Sequence, residues 1–179
     1  NYPCFHSNLL LESKMTNLPF LKFPGFLTQD EYDRCCEILK DKEGWTNSGT
    51  SLGTPGKNFS NKSLNDYDIF ANQILNKIRE RTGDAFVLKR VYANGQDIGQ
   101  DGEFHQDDTD PDAWTFLIYM NTIDEGGETE FHIGDEFTIA KQKAILNTGI
   151  LFKSDILHRG LAPRAGRETR VTVAWKLLL

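Results

Sequence analysis

Apolar residues follow two different periods along the chain. From Thr28 onward Tyr32, Cys35, Cys36 and Leu39 recur at helical intervals, and from Asp68 to Arg81 the residues Phe70, Ile74 and Ile78 stand one above another. Thr28 and Glu31 have the spacing of a capping box, Pro24 and Gly25 punctuate the approach to it, and Gly83 supplies a stop for the second helix. Between the helices, Glu43 to Asn65 is rich in Gly, Ser, Asn and Thr with little periodicity, so it reads as a long irregular segment of the kind that covers a site. After Gly83 the pattern changes to short strand-like runs: Phe86 to Tyr92, Gly102 to Gln106, Thr115 to Asn121, Glu128 to His132, Ala144 to Phe152 and Arg170 to Leu177. Turn residues separate them, including Asn94-Gly95 and Gly126-Gly127. Helices precede the strands rather than alternating with them. The pattern predicts a mainly β fold with N-terminal helices, a double-sheet jelly roll of the double-stranded β-helix type.

Composition narrows the setting. The 179 residues suffice for one domain, taken as 20–179 with residues 1–19 as an N-terminal extension; no pattern in Asn1 to Ser13 predicts an element. No apolar run approaches the roughly 20 residues that cross a bilayer. Three cysteines, Cys4, Cys35 and Cys36, make neither a disulfide framework nor a zinc-ligand spacing, and a reducing, cytoplasmic setting is expected. The sequons at Asn58 and Asn61 read as loop composition. A formal net charge of -6 disfavours broad binding to nucleic acid, while Arg159, Arg164, Arg167 and Arg170 leave room for a local basic patch. Oligomeric state has no signature in the sequence.

The chemistry concentrates between Glu103 and Arg170. In an extended segment Glu103, His105 and Asp107 share one face, so an imidazole and a carboxylate converge. A third ligand can come from His158, on a later strand. Two histidines and a carboxylate on one face of a metal leave three positions open, as in non-haem iron(II) sites; the same donors also suit zinc. His132 is an alternative ligand, read here as a strand-end histidine. Asp108, Asp110 and Asp112 open like a calcium loop, but Ala113 stands where the turn glycine belongs and Tyr119 where the bidentate Glu belongs. Along the last strand Arg170, Thr172 and Ala174 share a face, so small neighbours leave room for a ligand beside a guanidinium suited to binding a carboxylate bidentately. Trp175 faces the other way, toward the core.

The order of Tyr92, Gly102-Glu103-Phe104-His105-Gln106-Asp107, Phe116-Leu117-Ile118-Tyr119-Met120-Asn121, Gly126-Gly127-Glu128-Thr129, Leu157-His158 and Thr169-Arg170 resembles the prolyl 4-hydroxylase-like branch of the 2-oxoglutarate and iron(II)-dependent oxygenases. The resemblance covers nearly everything after Pro24 and extends to Phe23-Pro24-Gly25-Phe26-Leu27 before the first helix. It implies that His105, Asp107 and His158 bind Fe(II), and that Arg170 holds the distal carboxylate of 2-oxoglutarate. Tyr119 and Tyr92 then contact that cosubstrate, Tyr119 being the better placed because it shares a face with Leu117 and Thr115. Dioxygen is the second cosubstrate, with ascorbate as an accessory reductant. Retention of Asp107, in place of a small residue that would admit chloride, implies hydroxylation rather than halogenation.

The substrate implied is a prolyl residue in a peptide or protein. A free amino acid or other small metabolite is the alternative enzyme reading, and a jelly-roll module that binds 2-oxoglutarate without turning it over is the non-catalytic one.

Overall fold

In the computed structural model, which describes residues 18–49, 59–134 and 138–179, helix α1 (Gln29–Lys40) begins where its capping signals place it. The Thr28 hydroxyl accepts the Glu31 N–H at 3.3 Å and the Glu31 carboxylate accepts the Thr28 N–H at 2.8 Å, so two orphan donors of the helix end are satisfied. The second helical stretch opens with a π-wound segment, Ile69–Ile74, and continues as α2 (Leu75–Thr82). Gly83 ends it at φ 78°, a left-handed conformation that costs little without a Cβ. No helix among the described residues is long and apolar enough to cross a membrane.

The described residues form ten strands: β1 (Leu21–Pro24), β2 (Trp45–Gly49), β3 (Phe59–Ser63), β4 (Val87–Gln96), β5 (Ala113–Tyr119), β6 (Thr129–His132), β7 (Ile139–Gln142), β8 (Thr148–Lys153), β9 (His158–Gly160) and β10 (Arg170–Leu178). They form a seven-stranded sheet in the order β1-β8-β5-β10-β4-β3-β2 and a three-stranded sheet β7-β6-β9, with every pairing antiparallel. This is the jelly roll with its helices on one side.

One face of the large sheet packs under the helices, burying Phe116, Val173 and Trp175 against Phe26, Phe70 and Ile74, and the Trp175 indole donates to the Phe70 carbonyl at 2.8 Å. The other face meets the small sheet. There Phe131 of β6 lies 5.0 Å edge-on to Phe152 of β8 and 5.0 Å from Phe20. Because side chains alternate along a strand, the same β4 and β10 that send Val91, Ala93, Val173 and Trp175 into the helix-side core turn Tyr92, Asn94, Gln96, Arg170, Thr172 and Ala174 toward a cavity between the sheets.

Several sequence expectations are corrected. The described part of Glu43–Asn65 is not irregular: β2 and β3 pair with each other and extend the sheet edge at β4. The polar strand is held by Lys62, 1% exposed, whose ammonium donates to the Ile38 and Asp41 carbonyls at 2.9 and 3.0 Å and so closes the C-terminal end of α1. Asn94-Gly95 is no turn but part of β4, paired with Thr172 and Val171. Gly102–Gln106 is no strand; only His105 forms a bridge, with His158. The short strands β1, β7 and β9 have too few residues to show a period. Residues 1–17, with most of the expected extension and Cys4, lie outside the described residues, as do 50–58 with the Asn58 sequon acceptor; Cys35 and Cys36 are free.

Phe131→Ala removes the ring that joins the two sheets, and urea denaturation should show a loss of about 3–5 kcal/mol. A loss under about 1 kcal/mol would contradict this packing.

Candidate metal and cosubstrate site

His105 sits in an irregular stretch, yet its backbone is fixed. Its N–H donates to the His158 carbonyl at 2.9 Å and the His158 N–H donates back at 3.0 Å, which sets the two imidazoles 4.6 Å apart between centroids. Two residues on, the Asp107 N–H donates to the Ser154 carbonyl at 2.8 Å. The Asp107 carboxylate then lies 3.4 Å from His105 Nε2 through Oδ1 and 3.3 Å from His158 Nε2 through Oδ2. The three ligand atoms lie within 4.8 Å of one another.

The far side of each ring sets its tautomer. His105 Nδ1 is 2.8 Å from the Glu103 carbonyl and His158 Nδ1 is 2.8 Å from the Ile156 carbonyl. A carbonyl only accepts, so each Nδ1 carries a proton, which leaves Nε2, facing Asp107, as the ring nitrogen available to a metal. Two nitrogen lone pairs and a carboxylate aimed at one point are the donor set of a divalent metal, and the carbonyl-anchored rings are the usual outer support of such ligands.

Asp107 is also braced from behind. The Thr115 hydroxyl donates to its Oδ2 at 2.7 Å, and the Lys176 ammonium pairs with the same oxygen. Burial pushes the carboxyl upward, but the Lys176 charge and the two imidazoles outweigh it and hold Asp107 well below the usual carboxylate range.

Across the cavity stands Arg170, 3% exposed. Its Nε donates to the Gly127 carbonyl at 2.8 Å, Nη1 to Gln96 Oε1 at 2.7 Å and Nη2 to Thr129 Oγ1 at 3.0 Å. All three partners are neutral, and among the described residues no carboxylate forms an ion pair with it. Burial pulls its pKa below the ordinary arginine value. A buried cation held only by neutral dipoles is a seat for an anion. Gly160 makes the room: a Cβ there would stand 3.0 Å from Gln96 Oε1 and 3.1 Å from Arg170 Nη1. The cavity, about 570 Å³, is lined by both the three-donor cluster and this arginine.

No family model and no curated protein matches the sequence. Solved structures do match the fold. SnoN, a non-haem α-ketoglutarate-dependent epimerase from nogalamycin biosynthesis, superposes with a TM-score of 0.74 at 13% identity, over 97% of this chain and 81% of that one. A 2OG-Fe(II) oxygenase-family oxidoreductase from Burkholderia pseudomallei gives 0.73 at 13% identity, over 99% and 92%. The prolyl hydroxylase of Trichoplax adhaerens, in complex with a hypoxia inducible factor peptide fragment, gives 0.72 at 15% identity, over 97% and 89%. The chain has the fold of the 2-oxoglutarate and iron(II)-dependent oxygenases.

Within this oxygenase fold the structure brings His105, Asp107 and His158 together and places Arg170 and Tyr92 on the same cavity wall. Tyr119 is fully buried behind that wall: its hydroxyl donates to Thr129 Oγ1 at 2.6 Å and its ring lies 5.5 Å from Arg170 Cζ. His132 stands apart from the cluster, edge-on to Phe104 at 4.4 Å. Asp108 and Asp110 shape a turn, accepting the N–H groups of Asp110 and Asp112 at 3.1 and 2.9 Å. Sequence reasoning missed Thr129, Gln96 and Lys176. Extending the alternation Arg170, Thr172, Ala174 by one step reaches Lys176, whereas Gln96 and Thr129 become visible only once β4 and β6 are placed beside Arg170.

The depressed Asp107 pKa ties stability to pH. Its ion pair stabilises the fold above the ordinary carboxyl range, near about pH 4, and that stabilisation is lost as pH falls through the lower folded value. Lys176→Met should therefore cost the metal-free protein about 3–5 kcal/mol at neutral pH, with the deficit shrinking at acid pH where wild type also protonates. Equal stability of the two proteins at neutral pH by denaturant titration would refute the pair.

Proposed function

We propose that this chain is an iron(II)- and 2-oxoglutarate-dependent dioxygenase that hydroxylates a C–H bond. The observation that carries the reading is the pairing, in one cavity, of a two-histidine, one-carboxylate donor set with a buried arginine that lacks an anionic partner among the described residues. Zinc would suit the three donors as well, but Arg170 adds the seat for a dianionic cosubstrate and favours iron.

His105 Nε2, Asp107 and His158 Nε2 would hold the metal. When bound, iron with 2-oxoglutarate and dioxygen supplies an oxidation in which the cosubstrate becomes succinate and carbon dioxide, one oxygen atom entering succinate and the other the substrate's C–H bond. The protein's share is positioning and exclusion of water. Glu103 and Ile156 carbonyls keep both imidazoles turned with Nε2 inward, and Lys176 with Thr115 keeps the Asp107 carboxylate charged. Arg170 would hold the distal carboxylate of 2-oxoglutarate through its planar fork.

Thr129 joins it. Its oxygen already accepts from Tyr119 and Arg170, so its own O–H is left to donate into the cavity it lines. Tyr119 would thus act through Thr129, while Tyr92, on the wall with no hydroxyl partner among the described residues, would reach the ligand directly. This reverses the order expected from the sequence.

For the substrate, a prolyl residue of a peptide is supported by the sequence resemblance and by the peptide-bound Trichoplax neighbour of like fold. The fold alone does not choose, since SnoN with the same fold is an epimerase.

The test is iron-dependent succinate release from 2-oxoglutarate. Asp107→Ala should abolish it, and Arg170→Gln should raise the KM for 2-oxoglutarate roughly 10- to 100-fold, the loss of a charged hydrogen bond of about 1.5–3 kcal/mol. Binding of 2-oxoglutarate that is indifferent to Arg170→Gln would sink the assignment. Binding without turnover in wild type would favour a sensor module.

A further inference from the structure

Strands β4 and β10 place Arg90 directly opposite Lys176 in register, and both residues line the cavity. Like charges directly opposite across an antiparallel pair destabilise it. The Tyr92 ring lies 5.1 Å from Arg90 Cζ and 5.7 Å from Lys176 Nζ and holds both cations at the cavity wall. Lys176 has Asp107 as a partner, but Asp107 is the one carboxylate among the described residues that lines this cavity, and it belongs to the three-donor cluster.

Arg90, exposed at the edge of the cavity, forms no ion pair among the described residues. The adjacent acid, Asp108, lines a smaller cavity beside Arg90 and Lys176, yet it is engaged elsewhere: Oδ2 pairs with Lys89 at 2.6 Å and Oδ1 accepts the Asp110 N–H at 3.1 Å. The wall therefore sets three cations, Arg90, Lys176 and Arg170, against one carboxylate. A divalent metal and dianionic 2-oxoglutarate cancel each other, so the loaded cavity keeps an excess of two positive charges.

Resting on the oxygenase reading, we infer that the molecule oxidised here is a small anion whose carboxylate or phosphate group pairs with Arg90, backed by Lys176. Because Lys176 touches Asp107 itself, that anionic group lies within about one side-chain length of the metal ligands. The C–H bond oxidised is then only a few bonds from the charge. A free carboxylic acid or a phosphate monoester meets this spacing. An internal prolyl residue presents only neutral carbonyls there, and it would leave Arg90 without an anionic partner.

Anaerobic titration calorimetry on the full chain with Fe(II) and 2-oxoglutarate, followed by succinate release in air, tests the inference. The compounds are the free amino acids and short aliphatic acids, their uncharged carboxamides, the matching phosphate monoesters, and end-blocked prolyl peptides. At least one anion should bind and raise succinate release, and its carboxamide should bind roughly 10- to 100-fold more weakly. Arg90→Gln should erase that difference and Arg90→Lys keep most of it. The carboxylate and phosphate arms show which anion is used.

Equal binding of acid and amide, a preference that survives Arg90→Gln, binding of none of the anions, or stimulation by blocked peptides alone would each overturn the inference. Failure of the oxygenase reading looks different: no 2-oxoglutarate binding and no iron-dependent succinate with any compound.

Discussion

Two reciprocal backbone hydrogen bonds between His105 and His158 tie an irregular segment to the edge of the small sheet, and the candidate site depends on them. They set the spacing of the imidazoles, and through the two-residue step to Asp107 they also place the carboxylate. The bridge holds because β9 is itself paired with β6, whose Phe131 is locked between Phe20 and Phe152. Sheet packing is thus converted into ligand geometry. A loop carries the first two donors, but a packed strand positions them.

The second constraint is electrostatic. Arg170 and Lys176 come from one face of β10, and the fold accepts the cost of burying both. Lys176 is offset by Asp107. Arg170 has no ion-pair partner among the described residues, and the dipoles of Gly127, Gln96 and Thr129 orient the guanidinium without neutralising it. Arg90, opposite Lys176, extends the positive wall toward the mouth. The proposed ligands match this distribution of charge, a cation at the three donors and anions beside the arginines.

Much of this was legible in the sequence, for identifiable reasons. The Thr28–Glu31 capping box and the Phe70, Ile74, Ile78 spacing are local signals, and the helices follow them. The alternation of β10 separates Arg170 from Trp175 because a strand admits no other arrangement. What escaped depends on distant partners. The polar β3 exists because Lys62 reaches the carbonyls that end α1. Asn94-Gly95 is a turn signal that pairing with Thr172 and Val171 overrides, and Gly95 is accommodated there by crowding, with Thr169 Cγ2 at 3.3 Å from where a Cβ would stand. His105 and Asp107 converge as an extended segment would bring them, yet a single bridge to β9 supplies the extension rather than a strand. Tyr119 has the face expected of it, but Thr129 stands between it and the cavity.

The proposed function requires His105, Asp107, His158 and Arg170 to form one site for iron(II) and 2-oxoglutarate. Anaerobic titration of the purified protein with both, followed by visible spectroscopy for the weak metal-to-ligand charge-transfer band, tests it most directly. The account predicts a saturable band in wild type that is absent in His105→Ala. A folded, metal-loaded wild type with no band would contradict it and leave a jelly-roll binding module as the better description.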